Sequence, residues 1–244
     1  MRLAIISDIH SNLPALEAVL EAIEGSDAEE VWCLGDVVGY GAQPDECAKL
    51  VAERCALSLV GNHDLAVLDE IEVSAFSPSA ADAVTWTKAN AAPETLEFLR
   101  GLKPADESRD VALYHASPRD PVWEYVLWLD QAAECMAVQS TRVSLIGHSH
   151  VALFFVEPDG DRDARGAHAQ AGTRLEVGEQ RWLINPGSVG QPRDGDPRAA
   201  WLELDTESWS ATFHRTPYEI ERAAELIAGA GLPEQLGARL YVGQ

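Results

Sequence analysis

The 244-residue chain predicts an α/β fold, one domain over residues 1–244 in which two sheets pack between helices. Three features lead there. Fully apolar runs of strand length alternate with helical periodicity near the start of the chain. Those runs are apolar on both faces, as strands of a parallel sheet covered on two sides are. From Val151 onward the texture changes to short strands separated by turn signals.

Leu3–Ser7 reads as the first strand. Asn12–Glu24 follows as a helix, with Leu13, Leu16, Val19, Leu20 and Ile23 on one face, Asn12 as N-cap and Pro14 in the first turn. Val31–Leu34 is a second buried strand, Pro44–Arg54 a helix and Ala56–Val60 a third strand, an order that favours parallel pairing. Helices are expected over Ser79–Asn90, Pro93–Leu102 and Asp130–Val138, and strands at Val111–Tyr114 and Val143–Ile146. The later strands are Val151–Val156, Thr173–Val177, Trp182–Ile184, Ala199–Leu204 and Trp209–His214, with turns at Pro158-Asp159-Gly160 and Asp194-Gly195-Asp196-Pro197. Pro217–Ala228 closes the chain as a helix, and the acidic, Gly-rich residues 157–170 read as a mobile loop.

Function is concentrated where apolar runs stop. Asp8-Ile9-His10, Gly35-Asp36, Gly61-Asn62-His63-Asp64, Tyr114-His115 and Gly147-His148-Ser149-His150 each mark such a point, and together hold five of the seven histidines. Open α/β sheets place their ligands at strand C-termini. Asp, Asn and His without Cys describe a hard-to-borderline metal site with room for two ions. Asp8 and His10, like His148 and His150, stand two residues apart, so extended backbone would aim both side chains the same way. Asp36 offers two oxygens, and a carboxylate can bridge cations held ~3.5–4 Å apart. His168 and His214 lie outside the motifs and read as solvent or core residues.

A formal charge of −22 excludes a basic nucleic-acid face and disfavours an anionic membrane surface. No stable nucleic-acid partner and no membrane partner are therefore expected, and a small phosphate ester would be attracted by metal charge against the global field. Homo-oligomerisation is left open. Cys33, Cys47, Cys55 and Cys135 show no C-x-x-C spacing, and the N-terminus enters a strand without a basic n-region or cleavage site. Free thiols in a cytoplasmic protein are expected, with Cys33 in the core.

The series Asp8-x-His10, Gly35-Asp36, Gly61-Asn62-His63-Asp64, His115 and Gly147-His148-x-His150 resembles the calcineurin-like metallophosphoesterase superfamily, from the first strand to about Arg215. The resemblance implies a four-layer αββα sandwich of two mixed β-sheets. It implies one metal site of Asp8, His10, Asp36 and His150 and another of Asp36, Asn62, His115 and His148, with Asp36 as bridge. Two departures stand out: Ala116 follows His115 where the family often has Gly, and Gly39-Tyr40-Gly41 replaces the Asp-Arg-Gly of the protein phosphatases and symmetrical dinucleotide hydrolases. The chain looks closer to short bacterial and archaeal phosphodiesterases and to dinucleotide-polyphosphate hydrolases without that Arg. Its Asn185–Arg193 segment is similar to one common there.

The expected chemistry is hydrolysis of a phosphodiester or dinucleoside polyphosphate by two divalent metal ions (Mn, Fe, Zn, Co or Ni) that activate water and neutralise the phosphoryl oxygens. His63 should face the phosphate beside ligand Asn62, donating to an oxygen or the leaving group, with Asp64 holding its tautomer; Asp64 could equally cap a helix. Tyr40 is expected to line the cleft. Arg193 is a candidate phosphate contact or an ion-pair partner of Asp194 or Asp196, and Trp123, Tyr125 and Trp128 could stack on a base or belong to the core. The alternatives are a phosphomonoesterase or protein phosphatase, or a non-catalytic scaffold of the same fold. The scaffold would be expected to have lost ligands or His63; a metallo-β-lactamase-type hydrolase would need a His-x-His-x-Asp-His cluster, which is absent.

Overall fold

In the computed structural model, which describes residues 1–157 and 165–244, two six-stranded mixed sheets pack face to face. The chain begins β1 (Arg2–Ile6), α1 (Leu13–Glu24), β2 (Glu30–Cys33), α2 (Pro44–Arg54), β3 (Leu57–Ser58) and α3 (Asn62–Val67). It continues through α4 (Pro78–Asn90), α5 (Pro93–Arg100), β4 (Ala105–Asp106), β5 (Val111–Tyr114), α6 (Leu129–Val138), β6 (Val143–Leu145), β7 (Ala152–Val156) and β8 (Arg165–His168). Last come β9 (Arg174–Glu176), β10 (Trp182–Pro186), β11 (Ala199–Asp205), β12 (Ser210–Thr216), α7 (Ile220–Gly229), α8 (Glu234–Ala238) and a 3-10 turn at Arg239–Tyr241.

The first sheet has the order β3-β2-β1-β11-β12-β9, with β1, β2 and β3 parallel and β11 antiparallel to β1. The second runs β4-β5-β6-β10-β7-β8, with β5, β6 and β10 parallel. Side-chain alternation builds the layers. Leu3 and Ile5 enter the core between the sheets with Leu113, Leu145, Ile184 and Leu202, whereas Ala4 and Ile6 face Leu16, Val19 and Leu20 of α1. On the far side, Ala112, Tyr114, Leu153 and Phe155 pack against Ala132, Cys135 and Met136 of α6. This is the expected four-layer αββα sandwich. A fourth apolar cluster joins Leu236 and Leu240 near the C-terminus to Tyr40, Ala80 and Ala83.

Several boundaries differ from expectation. The third strand is only Leu57–Ser58, because Val60 donates its N–H to the Lys103 carbonyl (3.0 Å) and so leaves the pairing with β2. Residues 165–168 were expected in a loop but pair with β7 as β8, since the ladder there needs only backbone groups. The remainder of that segment, residues 158–164 with its Pro158-Asp159-Gly160 turn, lies outside the described residues. Cys33 is in the core as expected, and none of the four cysteines is in a disulfide. No helix among the described residues is long and apolar enough to cross a membrane.

Candidate metal centre

The loops after β1, β2, β5 and β6 and the start of α3 converge at one edge of the sandwich. They do so through backbone that L-residues rarely adopt. Asp8 (φ 54°), His10 (52°), Asp36 (51°), His148 (62°) and His150 (60°) all lie in the left-handed region. The expectation of i, i+2 convergence from extended strands is therefore corrected: β1 ends at Ile6 and β6 at Leu145, so left-handed turns aim these side chains. Such strain persists only where the surroundings over-determine it. Here Asp8 N–H donates to Gly35 O, His10 N–H to Asp36 O and Ser11 N–H to Val37 O, each at 3.0 Å. Ser188 Oγ and Gly190 N–H both donate to the Asp8 carbonyl, at 2.7 and 3.0 Å.

All seven sequence-predicted ligands are buried and come together. Asp8, His10, Asp36 and His150 form one group of converging donor atoms, and Asp36, His115 and His148 form another. Asn62 Oδ1 stands 3.2 Å from His115 Nε2. Backbone carbonyls settle three tautomers, since His10 Nδ1 meets Val38 O at 3.1 Å, His115 Nδ1 meets Leu34 O at 2.9 Å and His150 Nδ1 meets Gln191 O at 2.6 Å. With those Nδ1–H groups donating, each Nε2 presents a lone pair to the centre. Two such lone pairs, on His10 and His150, face each other at 3.0 Å. His148 differs: its Nε2 lies 3.2 Å from Trp123 O, which leaves Nδ1 for the centre.

These residues fit divalent cations. Asp8 Oδ1 and Asp36 Oδ2 are buried without a hydrogen-bond partner. Asp36 Oδ2 lies 3.5 Å from His10 Nε2 and 3.6 Å from His115 Nε2, and Asp8 Oδ1 lies 3.4 Å from His150 Nε2. Ligands ~2.0–2.2 Å from a cation are separated by roughly 3.0–3.5 Å, close to these spacings. The electrostatics agree. Burial pushes the Asp8 carboxyl up to about 7, and burial with the neighbouring Asp64 charge holds Asp36 well above the usual range. Burial holds His10, His148 and His150 well below the normal histidine value, so they stand as neutral donors. Buried lone pairs and carboxylates without counter-charge are costly, and a cation offsets that cost.

The predicted rim residues are brought to the same place, with two corrections. His63 packs against Tyr40 (ring centroids 4.3 Å apart), His10 (4.8 Å) and the Phe76 edge (4.9 Å). Its backbone N–H donates to Asp36 Oδ1 at 2.9 Å. Asp64 does not hold the His63 ring. At the third position of α3 it turns back, and its carboxylate accepts N–H groups of Gly61 (2.9 Å), Val37 (3.2 Å) and Val38 (2.9 Å). Gly61, not Asp64, is the N-cap residue. The second correction concerns Arg193, which pairs with neither Asp194 nor Asp196. Those carboxylates go to Arg215 and Arg198, while Arg193 donates to Tyr40 Oη (3.2 Å) and Gln191 Oε1 (3.0 Å). Gly39 explains the altered segment beside Tyr40: at φ 93°, a Cβ there would sit 2.6 Å from His63 Nδ1.

Tyr125 lies over His148 at 4.1 Å and Trp123 reaches Phe76 at 5.2 Å, so both belong to the rim, whereas Trp128 is 71% exposed and makes no ring contact among the described residues. His168 is exposed and His214 stacks on Trp201, as befits residues outside the motifs. Phe76, which meets the His63 and Trp123 rings, had no sequence signal. Asn185 sits in the segment noticed by resemblance; its Nδ2 donates to Gly147 O (2.7 Å) and Ser149 Oγ (3.0 Å).

Comparison with known proteins agrees with this geometry. The calcineurin-like phosphoesterase superfamily domain matches residues 1–207. A crystal structure of a metallophosphoesterase from Sphaerobacter thermophilus superposes with a TM-score of 0.91 at 39% identity, covering 100% of this chain and 99% of that one. Protein MJ0912 of Methanocaldococcus jannaschii is 38% identical over 99% of this chain and 98% of its own length. The phosphodiesterase YfcE of Escherichia coli K12 is 28% identical over 85% of this chain and 89% of its own. The chain belongs to the calcineurin-like phosphoesterase superfamily, metal-dependent hydrolases of phosphoester bonds.

Proposed function

We propose that the chain hydrolyses a small phosphodiester or a dinucleoside polyphosphate, using two divalent cations. The observation that carries this reading is Asp36 Oδ2, a buried and unpartnered oxygen set between His10 Nε2 and His115 Nε2. One oxygen shared by two ligand groups suits a bridge. Asp8, His10, Asp36 and His150 would hold one ion, and Asp36, Asn62, His115 and His148 the other. When bound, such ions activate water and neutralise charge on phosphoryl oxygens.

The chain's own residues supply position and protons. His63, fixed between Tyr40 and Phe76, faces the substrate side and donates a hydrogen bond to a phosphoryl oxygen or to the departing oxygen. Asp64 acts at one remove, gathering three backbone N–H groups that set the Asp36 loop against α3. Arg193, whose Nε is buried without an acceptor, is placed to meet phosphate. The Tyr125 and Trp123 rim suits a base or aromatic ester, and the YfcE likeness supports a diester.

Turnover of bis-(p-nitrophenyl) phosphate, a dinucleoside tetraphosphate and a phosphoserine peptide, compared with each of the five metals, tests the proposal. Either of the first two should be preferred. A phosphopeptide favoured tenfold over both would overturn it.

A further inference from the structure

Glu124 stands between Trp123 and Tyr125, the aromatic residues of the cleft rim, and only 15% of its side chain is exposed. A carboxylate withdrawn from water is costly unless its lone pairs are used. Glu124 uses them on the side away from the rim. Oε2 accepts from Ser117 Oγ at 2.5 Å and from Cys135 Sγ of α6 at 3.5 Å, and Oε1 lies 3.5 Å from an Arg119 terminal nitrogen. Burial, and after it the Glu124 charge, pushes the Cys135 thiol up to about 12, so it stays protonated and donates. The Arg119 side chain is 37% exposed and also pairs with Glu134, so the fully buried Ser117 and Cys135 carry the anchor.

The anchored segment runs from one sequence-predicted ligand to another. Ser117 follows His115 by two residues, and its hydroxyl also accepts the N–H groups of Arg119 (3.1 Å) and Asp120 (3.0 Å). Ala116 N–H donates to Pro121 O at 3.0 Å and Ser117 N–H to Asp120 O at 3.1 Å, which closes a turn over residues 116–121. Glu124 draws the chain beyond that turn back onto its start. The carbonyl just before Glu124, that of Trp123, meets His148 Nε2 at 3.2 Å, and the ring just after it, Tyr125, lies 4.1 Å from the His148 ring. His10, His115 and His150 are oriented by carbonyls of Val38, Leu34 and Gln191, all buried. Trp123 is only half-buried, so its carbonyl holds direction through whatever fixes the rim.

We propose that Glu124 is a positioning residue: through Trp123 O it fixes the tautomer and ring direction of His148, and so strengthens the ion site of Asp36, Asn62, His115 and His148. The role at the ion rests on the two-ion reading above; the hold on the ring does not. Groups that orient a ligating histidine change metal affinity by about 10–100-fold when lost, and Glu124, acting one residue further out, belongs at the lower end.

Nitrogen-15 spectra of the histidine rings in chelated, metal-free protein read the first step, with the His148 signals identified by their loss in His148→Ala. In the wild type His148 should carry its proton on Nε2, and His10, His115 and His150 on Nδ1. Glu124→Ala should move the His148 signals alone toward those of a free, tautomer-averaged imidazole, and Glu124→Gln, which can still accept from Ser117, should restore part of the difference. Calorimetric titration with manganese(II) reads the second step: Glu124→Ala should weaken one ion about tenfold and leave the other within twofold. Met136→Ala removes apolar packing beside Cys135 but none of the bonds to Glu124, and should lower the melting temperature with spectra and affinities unchanged. Unchanged His148 signals in Glu124→Ala overturn the proposal. So do changed signals with unchanged affinity, an equal loss at both ions, or the same changes in Met136→Ala. Uptake of a single ion by the wild type breaks the two-ion reading alone, and Glu124 is then judged on that ion; uptake of none sinks both.

Discussion

The two sheets contribute unequally to the candidate metal centre. Strands of the first sheet lead to Asp8, His10, Asp36 and Asn62, three oxygen donors and one imidazole, whereas β5 and β6 of the second lead only to His115, His148 and His150. The first sheet thus brings the carboxylates and the second brings only imidazole nitrogens. The second sheet's ligands are also oriented by the first: His115 Nδ1 donates to Leu34 O, and His148 N–H donates to Asp8 Oδ2 at 3.1 Å. Charge on one side and direction on the other means that equal truncations should not cost equally.

The sharpest way to break this asymmetry is to compare Asp36→Ala with His148→Ala. Asp36→Ala should empty both sites and abolish turnover, while His148→Ala should weaken one site by about 10–100-fold in metal affinity, on the scale of losing a single neutral donor. Metal analysis after dialysis reads the difference. One retained ion in Asp36→Ala would sink the bridge.

A smaller effect is expected at His63, which belongs to the first sheet's loops but lies outside the ligand set. His63→Ala should lower turnover by ~10²–10⁴-fold with both ions retained. Loss of metal in that variant would make His63 a ligand and move it into the first sheet's donor set.

The smallest effect concerns stability. Each divalent ion at 100–1,000 times its dissociation constant should stabilise the fold by about 2.7–4.1 kcal/mol. The gap should depend on pH. Without metal, native Asp8 keeps a proton up to about 7 that the unfolded chain releases near 3.8. The native state therefore binds more protons across that window, and metal-free stability falls as pH rises through it. Melting curves with and without chelator should diverge from pH 4.5 to pH 7.5. A gap that narrows with pH would place the first sheet's charge elsewhere.

Much of the centre was legible because burial and chemistry conflict at the ligands. A run such as Leu3-Ala-Ile-Ile ending in Asp8 places a charge where only a counter-charge makes sense, and that conflict is visible in one dimension. How the side chains converge was not visible. Extended-strand alternation and left-handed turns both bring residues i and i+2 together, and nothing in Asp-Ile-His separates them. Asp64 was misread because its partners Val37 and Val38 lie far back in the chain, and a carboxylate that collects backbone donors leaves no residue pattern. Arg193 was ambiguous while Asp194 and Asp196 stood next to it; Arg215 and Arg198 resolved that competition.

The left-handed backbone at Asp8, His10, Asp36, His148 and His150 also sets the evolutionary reach of the centre. Asn, Asp and Gly tolerate that conformation, whereas β-branched residues resist it. Asp-to-Asn and Asp-to-Gly drift can therefore silence a site while the loops keep their shape, and the reverse changes can restore it. Exchange for Val, Ile or Thr damages scaffold and chemistry together.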